Sequence, residues 1–296
     1  MSKASEIYTI TAAIEQAEET MKLRKDWQPK NEIQKRFLKN FLQACRGDKV
    51  PEIELEVSSE AEKINSFLER KGFSIRLQPF PPNTLGFASI LDLIVQWLYP
   101  GKKVKIDAKN GGTYDGVRIE KKGGNIFFFE STVHGYKHII AGLRTKSNDT
   151  VFITVPKEPL EGLDLIEMAN ALCEDNIGGR RRLYPLAYDG IRFPMVDLDI
   201  TNDIGWLEDM STTTKELDIP VDIIQAVQQI KIKMNEKGAR FQSATAMAVM
   251  LRCVASIPHD LIIDEPFLVW VVRPGLEKPL MIAFVTEEDW KNPGNL

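Results

Sequence analysis

The sequence predicts an α+β protein, with N-terminal helices followed by mostly antiparallel β-sheets. Three observations carry that reading. Apolar residues recur at spacings of three and four in the first third of the chain. From about residue 100 they alternate with polar ones. Gly-Gly and Pro-Gly steps then separate the alternating runs, where tight turns would fall. With 43% hydrophobic and 27% charged residues over 296 positions, the chain has the material for a packed globular core.

The first helix is read over residues 4–24, where Ile7, Ile10, Ile14, Ala17 and Met21 share one face. Trp27-Gln28-Pro29 breaks it from a second helix. That helix starts at Asn31, a good N-cap, with Ile33, Phe37, Phe41 and Leu42 facing inward. A third helix opens at Ser59-Glu60-Ala61-Glu62, a capping-box pattern, and ends at Gly72. "LQPFPPN" is a stiff extended connector. "LGFASILDLIVQWLYPG", apolar on most faces, reads as a buried helix stopped by Pro100-Gly101.

Strands are then expected at 103–107, 114–120, 125–130, 137–143 and 150–155. "LEGLDLIEMANALC" is a short amphipathic helix, "GGRRRLYPLAYDG" a loop and "IRFPMVDLDI" a strand. "QQIKIKM" alternates strictly, with Ile230, Ile232 and Met234 on one side. Residues 261–263, Phe267–Val272 and 280–285 complete the strands. No repeat or low-complexity segment interrupts this order.

Several function classes find no support. The chain has no phosphate-binding glycine loop, no dinucleotide fingerprint and no nucleophile-elbow motif, so a non-enzymatic protein without cofactors is expected. Its net charge of −4 supplies no basic field for nucleic acid or an anionic membrane. The basic run Arg180-Arg181-Arg182 reads as a solvated turn. His134 and His138 lie four apart, but Gly135 and strand-like neighbours argue against a helix and no third ligand is near, so no metal is expected. Cys45, Cys173 and Cys253 are scattered and odd in number, and "MSKASEIYTI" lacks a signal-type apolar segment. An intracellular, cytoplasmic location follows as an expectation, with no membrane span.

The tail resembles the C-terminal part of a serpin. "IKIKM", the turn "NEKG", the small-residue run "ATAMAV", then "IIDEPFLVWVVRPGLEKPLMIAFV" follow in serpin order, with Pro266-Phe267 as the Pro-Phe pair. "GYKHIIAGLRTKSNDTVFITVPKEPLEGLDLIEM" is similar to the family's central hairpin, and "IRFPMVDLDITNDIGWLEDM" to a later strand and helix. More loosely, "EKINSFLERKG" and "NTLGFASILDLIVQWLYPG" resemble its first two helices. The resemblance implies a reduced serpin-like fold: a 1–58 helical extension, then a 59–296 domain whose 238–258 segment corresponds to the reactive loop.

It also implies a site. Counting from Gly238 at the family spacing places Arg252 before the scissile bond and Cys253 after it, which suits a trypsin-like protease. The hinge comprises Gly238, Ala239, Arg240, Phe241, Ser243 and Ala244. In an inhibitory serpin the cut loop enters the large sheet as a strand, so alternate hinge residues must be small and uncharged. Arg240 and Phe241 depart from that pattern, and Phe241 shares its inward phase with Ala239, an overpacking that costs about 1–3 kcal/mol.

Between Gly101 and Lys137 no strands of the large sheet are recognisable, and Gln228 stands where the family has a histidine bonded across the sheet opening. The expectation is therefore that no sheet is left for 239–249 to enter. The chain would act as a non-inhibitory binding or structural module toward a protein partner, or toward a second copy through the N-terminal helices. The alternative is a serine-protease inhibitor acting at Arg252. So reduced a serpin implies a fast-evolving source such as a virus or parasite.

Overall fold

In the computed structural model the described residues are 1–158, 160–177, 188–240 and 259–294. The chain opens with strand β1 (Lys3–Ser5), then helix α1 (Tyr8–Thr20). Asn31 caps α2 (Glu32–Phe37), its Oδ1 accepting from the Gln34 amide at 2.8 Å. A π turn at Leu38–Leu42 and α3 (Gln43–Cys45) continue that rod. Next come β2 (Ile53–Ser58), α4 (Ala61–Arg70), β3 (Gly86–Leu91) and β4 (Val95–Gln96). The middle of the chain holds β5 (Lys102–Asp107), β6 (Thr113–Glu120), β7 (Ile126–Val133), β8 (Tyr136–Arg144), β9 (Thr150–Thr154) and α5 (Leu163–Ile177). There follow β10 (Gly190–Pro194), β11 (Val196–Asn202), β12 (Ser211–Thr213), β13 (Pro220–Asp222), β14 (Gln228–Met234) and β15 (Gly238–Arg240). The tail gives β16 (Asp260–Ile262), β17 (Phe267–Val272) and β18 (Met281–Val285).

These strands build three principal sheets. An antiparallel sheet runs β1-β18-β17-β9-β8-β7. A second runs β16-β10-β6-β5, parallel only between β10 and β16. The third runs β11-β14-β15-β4, and β2 pairs with β3 in a ribbon of its own. Trp270, Phe267, Phe193 and Phe129 are fully buried where the sheets meet. The N-terminal segment is part of this core, since Ile7, Phe37 and Phe41 bury with the sheet residues.

The α+β expectation holds, with strands β1 and β2 interleaved among the first helices. Four local readings need correction. The buried helix expected over "LGFASILDLIVQWLYPG" is β3 and β4. Ala88 and Ile90 pack on α4, while Leu91 packs with the main core beside α1. A strand covered on both faces has no polar side to reveal period two, so it mimics an all-round apolar helix.

The capping box is absent: α4 starts at Ala61 with Glu60 as an N-cap that accepts no side-chain bond, and the Ser58 hydroxyl instead accepts from the Glu60 amide at 3.0 Å. The helix read over 4–24 is preceded by β1, because residues 3–5 pair with β18. Ile33, expected inward, is 48% exposed, while Phe37 is fully buried and meets Trp206 edge-on at 5.3 Å. Phe37→Ala is therefore expected to cost about 3–5 kcal/mol in urea unfolding, and Ile33→Ala under about 0.5 kcal/mol.

Candidate functional site

The site is built on β14, whose alternation buries Ile230, Ile232 and Met234. Its turn is closed by Asn235, whose Oδ1 accepts from the Lys237 amide at 2.8 Å and whose own amide donates to the Gly238 carbonyl at 2.9 Å. The chain then reverses into β15, which pairs on both edges. Met234 faces Ala239 and Lys233 faces Arg240 on one side; Gln96 faces Gly238 and Val95 faces Ala239 on the other. Trp97 locks this arrangement, its ring N–H donating to the Asn235 carbonyl at 2.9 Å and its amide to the Lys237 carbonyl at 3.2 Å.

Gly238 is required by the close approach of β4: a Cβ there would lie 2.3 Å from the Val95 carbonyl oxygen. Ala239 is buried and faces inward. Arg240 pairs through its backbone. Phe241, Ser243, Ala244, Arg252 and Cys253 lie outside the described residues. β4, read from the sequence as part of a helix, is the strand that pairs with Gly238 and Ala239.

The far stem is equally well held. Asp260 in β16 receives Arg118 Nε at 2.7 Å, Arg118 Nη2 at 3.1 Å and Arg192 Nε at 2.7 Å. Burial pushes its carboxyl up, but the two guanidinium groups outweigh burial and hold it below the usual carboxylate range. The His259 amide donates to Asp189 Oδ2 at 2.9 Å, and the His259 ring stacks on Tyr188.

Below β15 the two flanking strands part. β14 pairs with β11 and β15, and β3 pairs with β2, but β14 and β3 do not pair with each other. Between them lies a cavity of about 800 Å³. Ile10, Ile14 and Ala17 of α1 line one face of it. The segment after α4, carrying Phe73, Ile75, Leu77 and Phe80, crosses the other face as a strap. That strap is tied to β14's side of the gap. The amides of Ser74 and Ile75 donate to Gln229 Oε1 at 2.7 and 3.2 Å, and the Gln78 backbone exchanges bonds with the Gln225 side chain at 2.8 and 3.2 Å.

One end of the gap is organised by Gln228 and Glu6. The Gln228 side chain donates to the Glu6 carbonyl at 2.9 Å and accepts from Asn202 at 2.9 Å, and Asn202 also donates to the Ala4 carbonyl at 2.8 Å. It therefore ties β14 to the β1–α1 junction and to β11. The Glu6 carboxylate accepts from the amides of Tyr8 and Thr9 and from the Thr9 hydroxyl at the start of α1. Burial pushes this carboxyl up to about 7, against the pull of those bonds. His138, the buried member of the histidine pair, lies in β8, and His134 in the β7–β8 turn at a φ of 51°. Among the described residues no three His, Cys, Asp or Glu side chains converge as metal ligands, and no described helix is long and apolar enough to cross a membrane.

The alternation of "IKIKM" and the turn "NEKG" marked the β14–β15 hairpin in the sequence. The gap was missed because the wall formed by β3 was read as helix. A single signal could have exposed it: Ala88 and Ile90 alternate with Phe87, Ser89 and Leu91 directly after the Pro81-Pro82 break.

Two predictions follow from this geometry. Gly238→Ala is expected to detach β15 from β4 and to speed hydrogen exchange of the Trp97 amide at least tenfold; unchanged exchange would mean that the Val95 carbonyl yields instead. Glu6 binds its proton more tightly folded than unfolded, so stability falls as pH rises from about 4.5 through about 7 and levels off above. That span corresponds to about 3 kcal/mol. Urea midpoints at pH 5, 6.5 and 8 should show the fall in the native protein and a much flatter profile in Glu6→Gln.

No family model matches the chain. In sequence it is similar to an alpha-1-antitrypsin homolog of Cyprinus carpio, 29% identical over 90 residues, or 30% of this chain and 23% of that protein. An alpha-1-antitrypsin-like protein of Ictidomys tridecemlineatus is 28% identical over 110 residues, 37% of this chain and 24% of the relative. Alpha-1-antiproteinase S of Cavia porcellus is 31% identical over 90 residues, 30% and 21% of the two chains. The matches thus span less than a quarter of these curated relatives. In structure the chain is similar to Serpin48 of the insect Tenebrio molitor, with a TM-score of 0.57 at 13% identity over 96% of this chain and 91% of that one. Thyroxine-binding globulin in complex with thyroxine gives 0.58 at 14% identity over 96% and 92%.

Proposed function

We propose that this chain, whose fold is similar to that of serpins, inhibits a trypsin-like serine protease by offering the segment 241–258 as bait, with Arg252 before the scissile bond. The observation that carries the reading is the position of β15 between β14 and β4, at the head of an open gap between β14 and β3. In this reading the protease's serine attacks the Arg252 carbonyl, the bond to Cys253 breaks, and the Cys253 nitrogen leaves with a proton. The freed segment continues β15 downward. It pairs with the unpaired backbone edges of β14 and β3, each bond adding about 0.5–1.5 kcal/mol. If that entry outruns attack of water on the ester, enzyme and inhibitor stay joined.

A second reading is favoured by Phe241 and by the strap. Phe241 follows Ala239 in the inward phase, and the 73–80 strap must be displaced before a strand can pass. Both slow entry, and a slow trap becomes a substrate or a plain binding module. On either reading the partner is a protein and the chain is not itself a catalyst. Residues 1–58 then serve the 59–296 domain by covering its core, consistent with the burial of Phe37 and Phe41, instead of recruiting a second copy.

Incubation with trypsin should yield an SDS-stable complex that is lost in Arg252→Ala, and the protein cut at 252 should melt at a higher temperature than the intact one. Ala239→Arg, which places a charge at the buried hinge position, should abolish the complex while cleavage continues. Cleavage after Arg252 with neither a complex nor a gain in melting temperature would favour the binding module.

A further inference from the structure

We infer that the cavity between β3 and β14 binds a small neutral molecule, a largely apolar body bearing a single hydroxyl or carbonyl group that bonds the Ser89 side chain. A volume of about 800 Å³ falls in the range of small-molecule sites. It is far above the few water-sized voids that a close-packed interior leaves. Ile14 and Ala17 from α1, Leu77 and Phe80 from the strap, and Ile230 from β14 give the walls their apolar character. Entry is apolar too, since Ile224 and Val227 line the cavity and are 45% and 39% exposed.

Two polar features set the chemistry of the ligand. The Ser89 hydroxyl lines the cavity from the middle of β3, is sealed from solvent and has no hydrogen-bond partner among the described residues. A buried hydroxyl left unbonded is costly, and a single ligand oxygen in this space would relieve it. A hydroxyl can donate to a carbonyl or accept from an alcohol, so either group fits. The Glu6 carboxyl lines the same cavity and already accepts from Tyr8 and Thr9. Arg70, Lys71, Lys231 and Lys233 line other parts of the cavity, Lys71 and Lys231 already paired with Glu54 and Asp199. Neither lysine nor arginine salt-bridges Glu6 among the described residues, so an anionic head at the Glu6 end would meet a like charge. Beside Glu6 and the Ser89 hydroxyl an alcohol or ketone is favoured over a carboxylate.

The inference does not depend on the inhibitor reading, and no protease enters its test. Calorimetric titration of the intact protein with 1-decanol and with decanoate at pH 8 should give saturable one-to-one binding of the alcohol. Decanoate should bind at least tenfold more weakly. Ser89→Ala, checked for a cooperative melt, should weaken decanol about fivefold to tenfold. Ala17→Phe, which fills the cavity from the α1 side, should abolish binding. Equal affinity for decanol and decanoate, unchanged decanol affinity in Ser89→Ala, or multi-site uptake in place of one-to-one binding would each overturn it. The decanol–decanoate comparison needs no variant, so it decides even if a substitution fails to fold.

Discussion

The front of this molecule depends on a three-residue strand. Gly238–Arg240 is the only element through which β14 and β4 are joined in a sheet among the described residues, and everything below it follows from that limit. A strand in mid-sheet must satisfy both neighbours; β15 pairs two residues with each and only Ala239 with both. The missing side chain at Gly238 makes the pairing possible, because the Val95 carbonyl occupies the space a Cβ would need. Trp97 then fastens the turn from behind with two hydrogen bonds. Past Arg240 the two walls diverge, each presenting an unpaired backbone edge to a greasy interior. Such an edge is a standing template for another strand.

How much of this was legible in the sequence depended on whether an element shows one face to water. β14 reads cleanly because Lys231 and Lys233 alternate with buried isoleucines. Asn31 reads cleanly because a cap is a local bond within three residues. β3 did not, since helices cover both its faces and leave no polar phase to count. Ser59 does not cap α4, because the helix starts at Ala61 with Glu60 at its N-cap, and the Ser58 hydroxyl makes only a local turn bond to the Glu60 amide. Ile33 was placed inward on periodicity alone, but it stands in the first turn of α2 and is exposed, while Phe37, Phe41 and Leu42 reach the core. The order of motifs marked the β14–β15 hairpin but not the gap, because a void is a property of two distant segments, 86–92 and 227–231.

The comparisons divide along the same physical line. Similarity in sequence is confined to stretches of 90 to 110 residues, whereas similarity in fold extends over 96% of the chain. Sheet register asks for alternation and matched volume more than for particular side chains. A chain can therefore exchange most of its residues and keep the strand order. What it cannot exchange freely are positions fixed by close contact or by paired charge, such as Gly238 beside Val95 and Asp260 between two arginines.

The strap across the gap has a consequence for timing. Four backbone groups, the amides of Ser74, Ile75 and Gln78 and the carbonyl of Gln78, are bound to the side chains of two glutamines, Gln225 and Gln229. At about 1 kcal/mol for each bond they hold the strap by on the order of 4 kcal/mol, beside the Asn65–Leu77 pair and the packing of Phe73, Ile75, Leu77 and Phe80. Gln225 and Gln229 thus act as the escapement of a clock. Together with the Asn65–Leu77 pair they govern how often the interior of the sheet is offered to anything that would enter it.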